Sequence, residues 1–300
     1  VLDFSELSSN GEDLELLVRE LAISSGYKAH WSGRGPDGGQ DLLIEEPGDL
    51  NFGAKTRRWL VSCKHMALAN GGKGKSVGID DLGGEGGIVD AVHQHEADGF
   101  LLACSTQPSS ALVARLAAIE RNRRVPTHVW DGVQLERMLG TPRGWQIAQR
   151  FMPISADSAG WRIFMTDEPN RFVGITRGYY IQLVNRHGSG QVSLWEIDRV
   201  LKQVEAAPVP EKACIRPRGV FDNDKVTAFT WYLDYLHQGR DGEGEESARR
   251  LGEYLNSLPD EGIFHHFEVR PRWAHFGGDS HDNDHYRYYQ DLPSYFHRSG

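Results

Sequence analysis

The sequence predicts a mixed α/β protein of two domains. Its 300 residues are enough for two domains of ordinary size, although one large domain would also fit. Segments of helical and strand period alternate along the first half, which calls for a mixed sheet flanked by helices. After a less regular stretch over 142–157 the composition shifts and a second set of elements begins. The expected units are therefore residues 1–145 and an α+β unit over 157–300.

The elements follow in order. Leu14, Leu17, Val18 and Leu21 form one helical stripe. Ser9 or Asn10 supplies the cap, Glu12 and Asp13 the acidic first turn, and Gly26 the stop. Tyr27–Trp31 reads as a short strand and 33–39 as a glycine-rich loop. Asp41–Ile44 and Arg58–Lys64 read as strands paired in a hairpin across the Pro47-Gly48-Asp49 turn. Gly71–Gly74 and Gly83–Gly87 read as loops, with a helix over Ile88–His95. Then come a buried strand, Phe100–Cys104, a helix capped by Ser109 or Ser110, a strand over Pro126–Trp130 and a helix over Gln134–Leu139. In the second unit Phe172–Asn185 reads as strand. Leu194–Glu205, Asp224–His237 and Glu245–Leu258 read as helices, and Phe264–Arg272 as strand.

Composition narrows the function. The net charge is −9, whereas a dedicated nucleic-acid binder is usually basic. The charge is uneven, however. From Phe52 to Ile79 there is no acid, yet Lys55, Arg57, Arg58, Lys64, Lys73 and Lys75 fall there. A second basic group is Arg115, Arg121, Arg123 and Arg124. Both read either as solvated surface or as a track for phosphates. The apolar runs are too short to span a membrane. The first residues have neither the basic region nor the apolar core of a secretory signal. Cys63, Cys104 and Cys214 include no CxxC pair, which argues against a zinc finger and fits a reducing, cytoplasmic setting.

The chemistry concentrates where two strands meet. Alternation puts Trp59, Val61 and Cys63 on one face and Leu60, Ser62 and Lys64 on the other. In a hairpin the start of one strand lies beside the end of the next, so Asp41 comes near Ser62 and Lys64. Glu15, on a helix crossing the sheet, can aim at the same corner. A carboxylate, a hydroxyl and an ammonium together suit phosphodiester hydrolysis. A divalent ion such as Mg²⁺ takes few protein oxygens and keeps waters.

In that order the motifs resemble the Mrr-like branch of the PD-(D/E)xK nucleases over roughly residues 12–140. Glu15 lies upstream of Gly26-Tyr27. Asp37-Gly38-Gly39-Gln40-Asp41-Leu42 is similar to the Asp-Gly-Gly-x-Asp motif, and Ser62-Cys63-Lys64 to the third motif. The resemblance implies a restriction-endonuclease-like mixed sheet flanked by helices. It implies Asp41 and the Cys63 carbonyl as ligands of Mg²⁺ or Mn²⁺, with Glu15 supporting a further ligand and Lys64 as the catalytic lysine. Ser62 departs from the pattern, standing where the family carries Glu, Asp or Gln. Asp37 or Glu45 would have to compensate, or the domain is a nuclease-derived binding or assembly module. The implied activity is a DNA endonuclease in defence against foreign or modified DNA. Its partner is double-stranded DNA held by Lys55, Arg57, Arg58, Lys73 and Lys75, either acting alone or as an effector switched by a sensor protein or signal molecule, with homo-oligomers open.

Other residues keep two readings. Asp37 forms an Asx turn or takes part in the site. Ser105, before the helix near Ser109, holds a phosphate or is a simple cap. His65, His93 and His95 are a proton relay, DNA contacts or ordinary polar groups. Trp231, Tyr232, Tyr235 and Tyr254 stack bases or fill a core. His281–His285 carries metal-capable side chains without an established spacing.

Overall fold

The structure is a computed structural model that describes residues 2–31, 41–46, 56–168, 170–184, 192–223, 228–237, 243–259 and 263–273. The chain divides into two compact units, Val1–Ala159 and Gly160–Gly300. Asp37, Lys55 and the His281–His285 stretch lie outside the described residues.

Unit 1 contains a five-stranded sheet of order β1-β2-β3-β4-β5. Its strands are β1 (Lys28–Trp31), β2 (Leu42–Glu46), β3 (Arg57–Lys64), β4 (Gly99–Cys104) and β5 (Thr127–Trp130). The first three are antiparallel, while β3, β4 and β5 run parallel. The connections from β3 to β4 and from β4 to β5 are crossovers, as parallel neighbours require. The first carries a single irregular turn, α2 (Ala69–Gly72), and α3 (Gly84–Gln94); the second carries α4 (Ser110–Arg123).

On one face Leu60, Phe100, Leu102 and Cys104 join Ile88 and Val92 of α3 and Leu112, Leu116 and Ile119 of α4 in a single core. Ser109 caps α4, its Oγ accepting from Leu112 N–H. Leu14, Leu17, Val18 and Leu21 of α1 (Glu12–Ser24) are buried, and α1 packs against β1, β2, β3 and a later helix, α6 (Pro142–Phe151).

Three expectations need correction in unit 1. The residue before α1 is Gly11 in the left-handed region, and Asn10 instead accepts from Glu12 N–H. The helix expected from Ile88 begins at Gly84, inside the expected loop, because buried Ile88 and Val92 hold its first turns. The stretch 142–157 is helical and belongs to unit 1. After α5 (Gly132–Leu139) come α6 and α7 (Pro153–Ser158). Thr141 caps α6 and Pro142 stands in its first turn, both start signals.

Unit 2 contains a six-stranded mixed sheet of order β11-β10-β9-β8-β7-β6. It comprises β6 (Arg162–Met165), β7 (Arg171–Thr176), β8 (Tyr179–Val184), β9 (Ala213–Asn223), β10 (Ala228–His237) and β11 (His265–Trp273). Its helices are α8 (Leu194–Glu205) and α9 (Glu243–Asn256). The helix expected over Asp224–His237 is the strand β10 among the described residues. Trp231, Leu233 and Tyr235 alternate into the core, and the bulky aromatic run favours a pleated surface. Trp231 Nε1 donates to His265 Nδ1, and His265 Nε2 lies 2.8 Å from Glu196 Oε1, so core polar groups are satisfied along a chain.

Candidate functional site

The β2–β3 hairpin fixes the geometry. Leu42 pairs with Val61 and Leu43 with Leu60, so Asp41, one step before β2, stands level with Ser62. Asp41 N–H donates to the Val61 carbonyl at 3.2 Å. Beyond that point β3 continues without a β2 partner, and the Asp41 side chain supplies one. Cys63 N–H donates to Asp41 Oδ2 at 2.5 Å. Such a charge-assisted bond pins the carboxylate against the strand edge.

The same ladder orients the next carbonyl. Ser105 N–H donates to the Lys64 carbonyl, so Lys64 hydrogen-bonds toward β4. Backbone groups of successive strand residues point to opposite sides. The Cys63 carbonyl therefore opens away from β4, past the end of β2, beside the Asp41 carboxylate. Two oxygens, one charged and one neutral, share this corner.

The charged neighbours register at the Cys63 thiol. Burial pushes that thiol well up, and the Asp41 and Glu15 carboxylates push it further, while Lys64 acts in the opposite sense. Glu15, Asp41 and Lys64 thus all lie within electrostatic reach of one strand end, and Glu15 reaches it from α1. Lys64 is half-buried, on the face of Leu60. It also helps hold the Asp81 carboxyl below its ordinary value, after the Gly78 N–H and Lys75. Asp81, between α2 and α3, was not anticipated; its signal is the Asp80-Asp81 pair closing the acid-free basic stretch.

The other expected residues separate. Ser62 is 4% exposed, on the face of the Leu60 core. Ser105 is buried and braces the loop after β3. Its Oγ accepts from Met66 N–H at 2.9 Å and Ala67 N–H at 3.1 Å, leaving its proton for His65 Nδ1 at 3.0 Å. Burial holds the His65 pKa below the usual imidazole value. Ser105 Oγ is thus engaged within the loop after β3.

Of the basic residues, Arg57, Lys73 and Lys75 are exposed. Lys75 pairs with Asp81 at 3.0 Å. Arg58 is half-buried, 3.8 Å from Glu45 and 4.0 Å from Glu96. Glu45 is thus engaged by Arg58 at the end of β2 remote from Asp41.

No family model and no curated protein sequence matches the chain. Solved structures similar to it include two endonucleases. One is the MspJI restriction endonuclease in complex with a 27-mer oligonucleotide, at 16% identity and a TM-score of 0.35 over 50% of this chain and 32% of that one. The other is the DNA modification-dependent restriction endonuclease AspBHI, at 11% identity and a TM-score of 0.30 over 52% of this chain and 41% of that one. The matched part is less than half of either endonuclease.

Among the described residues no three His, Cys, Asp or Glu side chains converge into a cage. One carboxylate beside one carbonyl fits a hard divalent cation that keeps most of its waters, as Mg²⁺ does. No helix among the described residues is long and apolar enough to cross a membrane.

Proposed function

We propose that unit 1 is a divalent-metal-dependent nuclease that hydrolyses phosphodiester bonds in double-stranded DNA. The observation that carries this reading is the Asp41 carboxylate held on Cys63 N–H, with Glu15 and Lys64 in electrostatic reach of the same strand end. Asp41 and the Cys63 carbonyl would hold Mg²⁺, with Mn²⁺ as substitute, and Glu15 would orient water around it. Such an ion, when bound, neutralises phosphate charge and makes water more acidic.

The rest falls to the chain. Lys64 would hold a non-bridging phosphate oxygen or orient the attacking water, and its charge would offset the negative charge that builds on the phosphorus oxygens. Asp41, anchored by the strand edge, keeps its geometry without reorganising. Lys73, Arg57 and Lys75 extend positive charge along the DNA backbone, a sequence-independent and salt-sensitive interaction. Defence against foreign or modified DNA is the setting such an activity suits. A sensor partner, a signal molecule or self-association would act as control.

A second reading is a DNA-binding module that no longer cleaves. Ser62 favours it, because a buried neutral hydroxyl stands where the resemblance would put an acid. Nicking of supercoiled plasmid in Mg²⁺ or Mn²⁺ separates the two. The nuclease reading expects wild type to nick and Lys64→Ala to be silent; equal activity in both assigns any cleavage elsewhere.

A further inference from the structure

At the other end of β3 the same sheet carries a cavity of about 220 Å³. Ile44 and Leu101 form its apolar floor, and Tyr27, Trp59, His128 and Trp130 line it with rings. Its acid is Glu46, the last residue of β2. The Trp59 ring packs over Gly99 of β4. A Cβ on Gly99 would fall 2.5 Å from the Trp59 ring, and the Trp59 and His128 ring centroids are 4.8 Å apart. Glu46 Oε2 accepts from Trp59 Nε1 at 3.4 Å. Arg57, paired with Glu46 across the hairpin, places its guanidinium 6.0 Å from the Trp59 ring centroid and is exposed to solvent.

This arrangement selects its occupant. The volume falls below the roughly 300–1,000 Å³ of drug-sized sites, so it takes one planar ring system and leaves the remainder of a ligand outside. Aromatic walls favour a flat π-face. A quaternary ammonium is disfavoured because Arg57 already places a positive charge over Trp59. A purely apolar group would desolvate the Glu46 carboxylate and leave its remaining lone pairs without partners. A carboxylate only accepts hydrogen bonds, through two parallel oxygens. Guanine presents two adjacent donors, N1–H and N2–H. Adenine and cytosine set a ring-nitrogen acceptor beside their amine, which repels the second oxygen, and thymine and uracil flank their single N–H with carbonyls. A phosphate on the same nucleotide could pair with the exposed Arg57 beside Trp59.

We propose that this cavity is a binding site for a guanine nucleotide, with the base on the aromatic surface against Glu46 and the phosphate on Arg57. The site does not depend on the nuclease reading. The nucleotide comes either from a nucleic-acid strand with the base unstacked or from a free guanine nucleotide.

Calorimetric titration of the full chain with GMP, AMP, CMP and UMP tests it. GMP should bind at least tenfold tighter than the others, and guanosine should bind more weakly than GMP. Glu46→Gln keeps the shape but replaces one acceptor with a donor, so it should erase the preference for guanine. Trp130→Ala should weaken GMP roughly tenfold or more, with Trp130→Phe retaining most of the affinity. An oligo-dT strand carrying one dG then identifies the source. Competition with GMP supports a strand base; GMP binding without competition supports a free nucleotide. No GMP binding by wild type, equal binding of all four nucleotides, or an unchanged preference in Glu46→Gln overturns the proposal. Plasmid nicking by wild type against Lys64→Ala is a separate readout, so failure of one proposal does not decide the other.

Discussion

The two ends of β3 make an instructive pair. Each meets a carboxylate from one end of β2, Asp41 at the Lys64 end and Glu46 at the Arg57 end. Asp41 accepts a 2.5 Å bond from the backbone of Cys63, with Glu15 and Lys64 close by. Glu46 accepts a 3.4 Å contact from an indole, over an apolar floor. The first carboxylate is pinned by backbone among charges, a setting for an ion and a phosphate. The second sits loosely among rings, a setting for a flat polar ligand. What differs is the company each acid keeps, and that follows from where the hairpin stops.

The largest expected effect breaks the comparison at the charged end. Asp41→Asn and Lys64→Ala should each lower Mg²⁺-dependent cleavage by about 10²-fold or more, the usual range for losing a positioned acid–base or electrostatic group. Thermal melts should show both variants folded. At the aromatic end the dominant effect should be on stability. Trp59→Ala removes a buried ring and should cost about 3–5 kcal/mol in a denaturant titration. Gly99→Ala pushes a methyl into that ring and should cost about 1–3 kcal/mol by the same measurement.

Two smaller effects sharpen the contrast. Arg57→Gln should weaken DNA binding evenly across sequences and reduce the slope of log affinity against log salt by about 1. An unchanged slope would leave the aromatic end off the DNA path. Asp81, near the charged end, has its carboxyl held below the ordinary 3.8 by the Gly78 N–H and Lys75. A lowered folded-state pKa contributes stability above the unfolded value and loses it as pH falls through the folded one. Wild type should therefore be slightly more stable than Asp81→Asn at pH 6, with the difference vanishing in melts taken well below pH 3.8.

Much of unit 1 was legible because local and tertiary signals agree there. Alternation makes Trp59, Val61 and Cys63 the core face of a strand, and β3 buries all three. In unit 2 the helix over Leu194–Glu205 matches its expected bounds, with Ser193 as its cap. The rest of unit 2 was harder. The aromatic residues of β10 satisfy helical and strand spacing at once, and its neighbours decide between them. Neighbouring β9 was missed because Pro217 argues against a central strand. It is tolerated where the β9–β10 register slips, at an irregularity beside Tyr232 and Leu233.

The site was legible in part. Alternation and hairpin logic bring Asp41 and Lys64 to one strand end, whereas the Cys63 carbonyl entered only through the family resemblance. For Ser105 the sequence leaves a phosphate contact and a simple cap open, and the structure bonds its Oγ to Met66 and Ala67 N–H. The cavity was invisible in sequence. Tyr27, Glu46, Trp59 and Trp130 come from four separate segments, brought together by strand order.

Manganese anomalous diffraction from crystals of wild type and Asp41→Asn, soaked side by side, tests the central claim most directly. The account predicts a peak in the wild type within coordinating distance of the Asp41 carboxylate and the Cys63 carbonyl, and its loss in the variant. A wild type with no peak at that corner, or a peak that persists unchanged in Asp41→Asn, would contradict it.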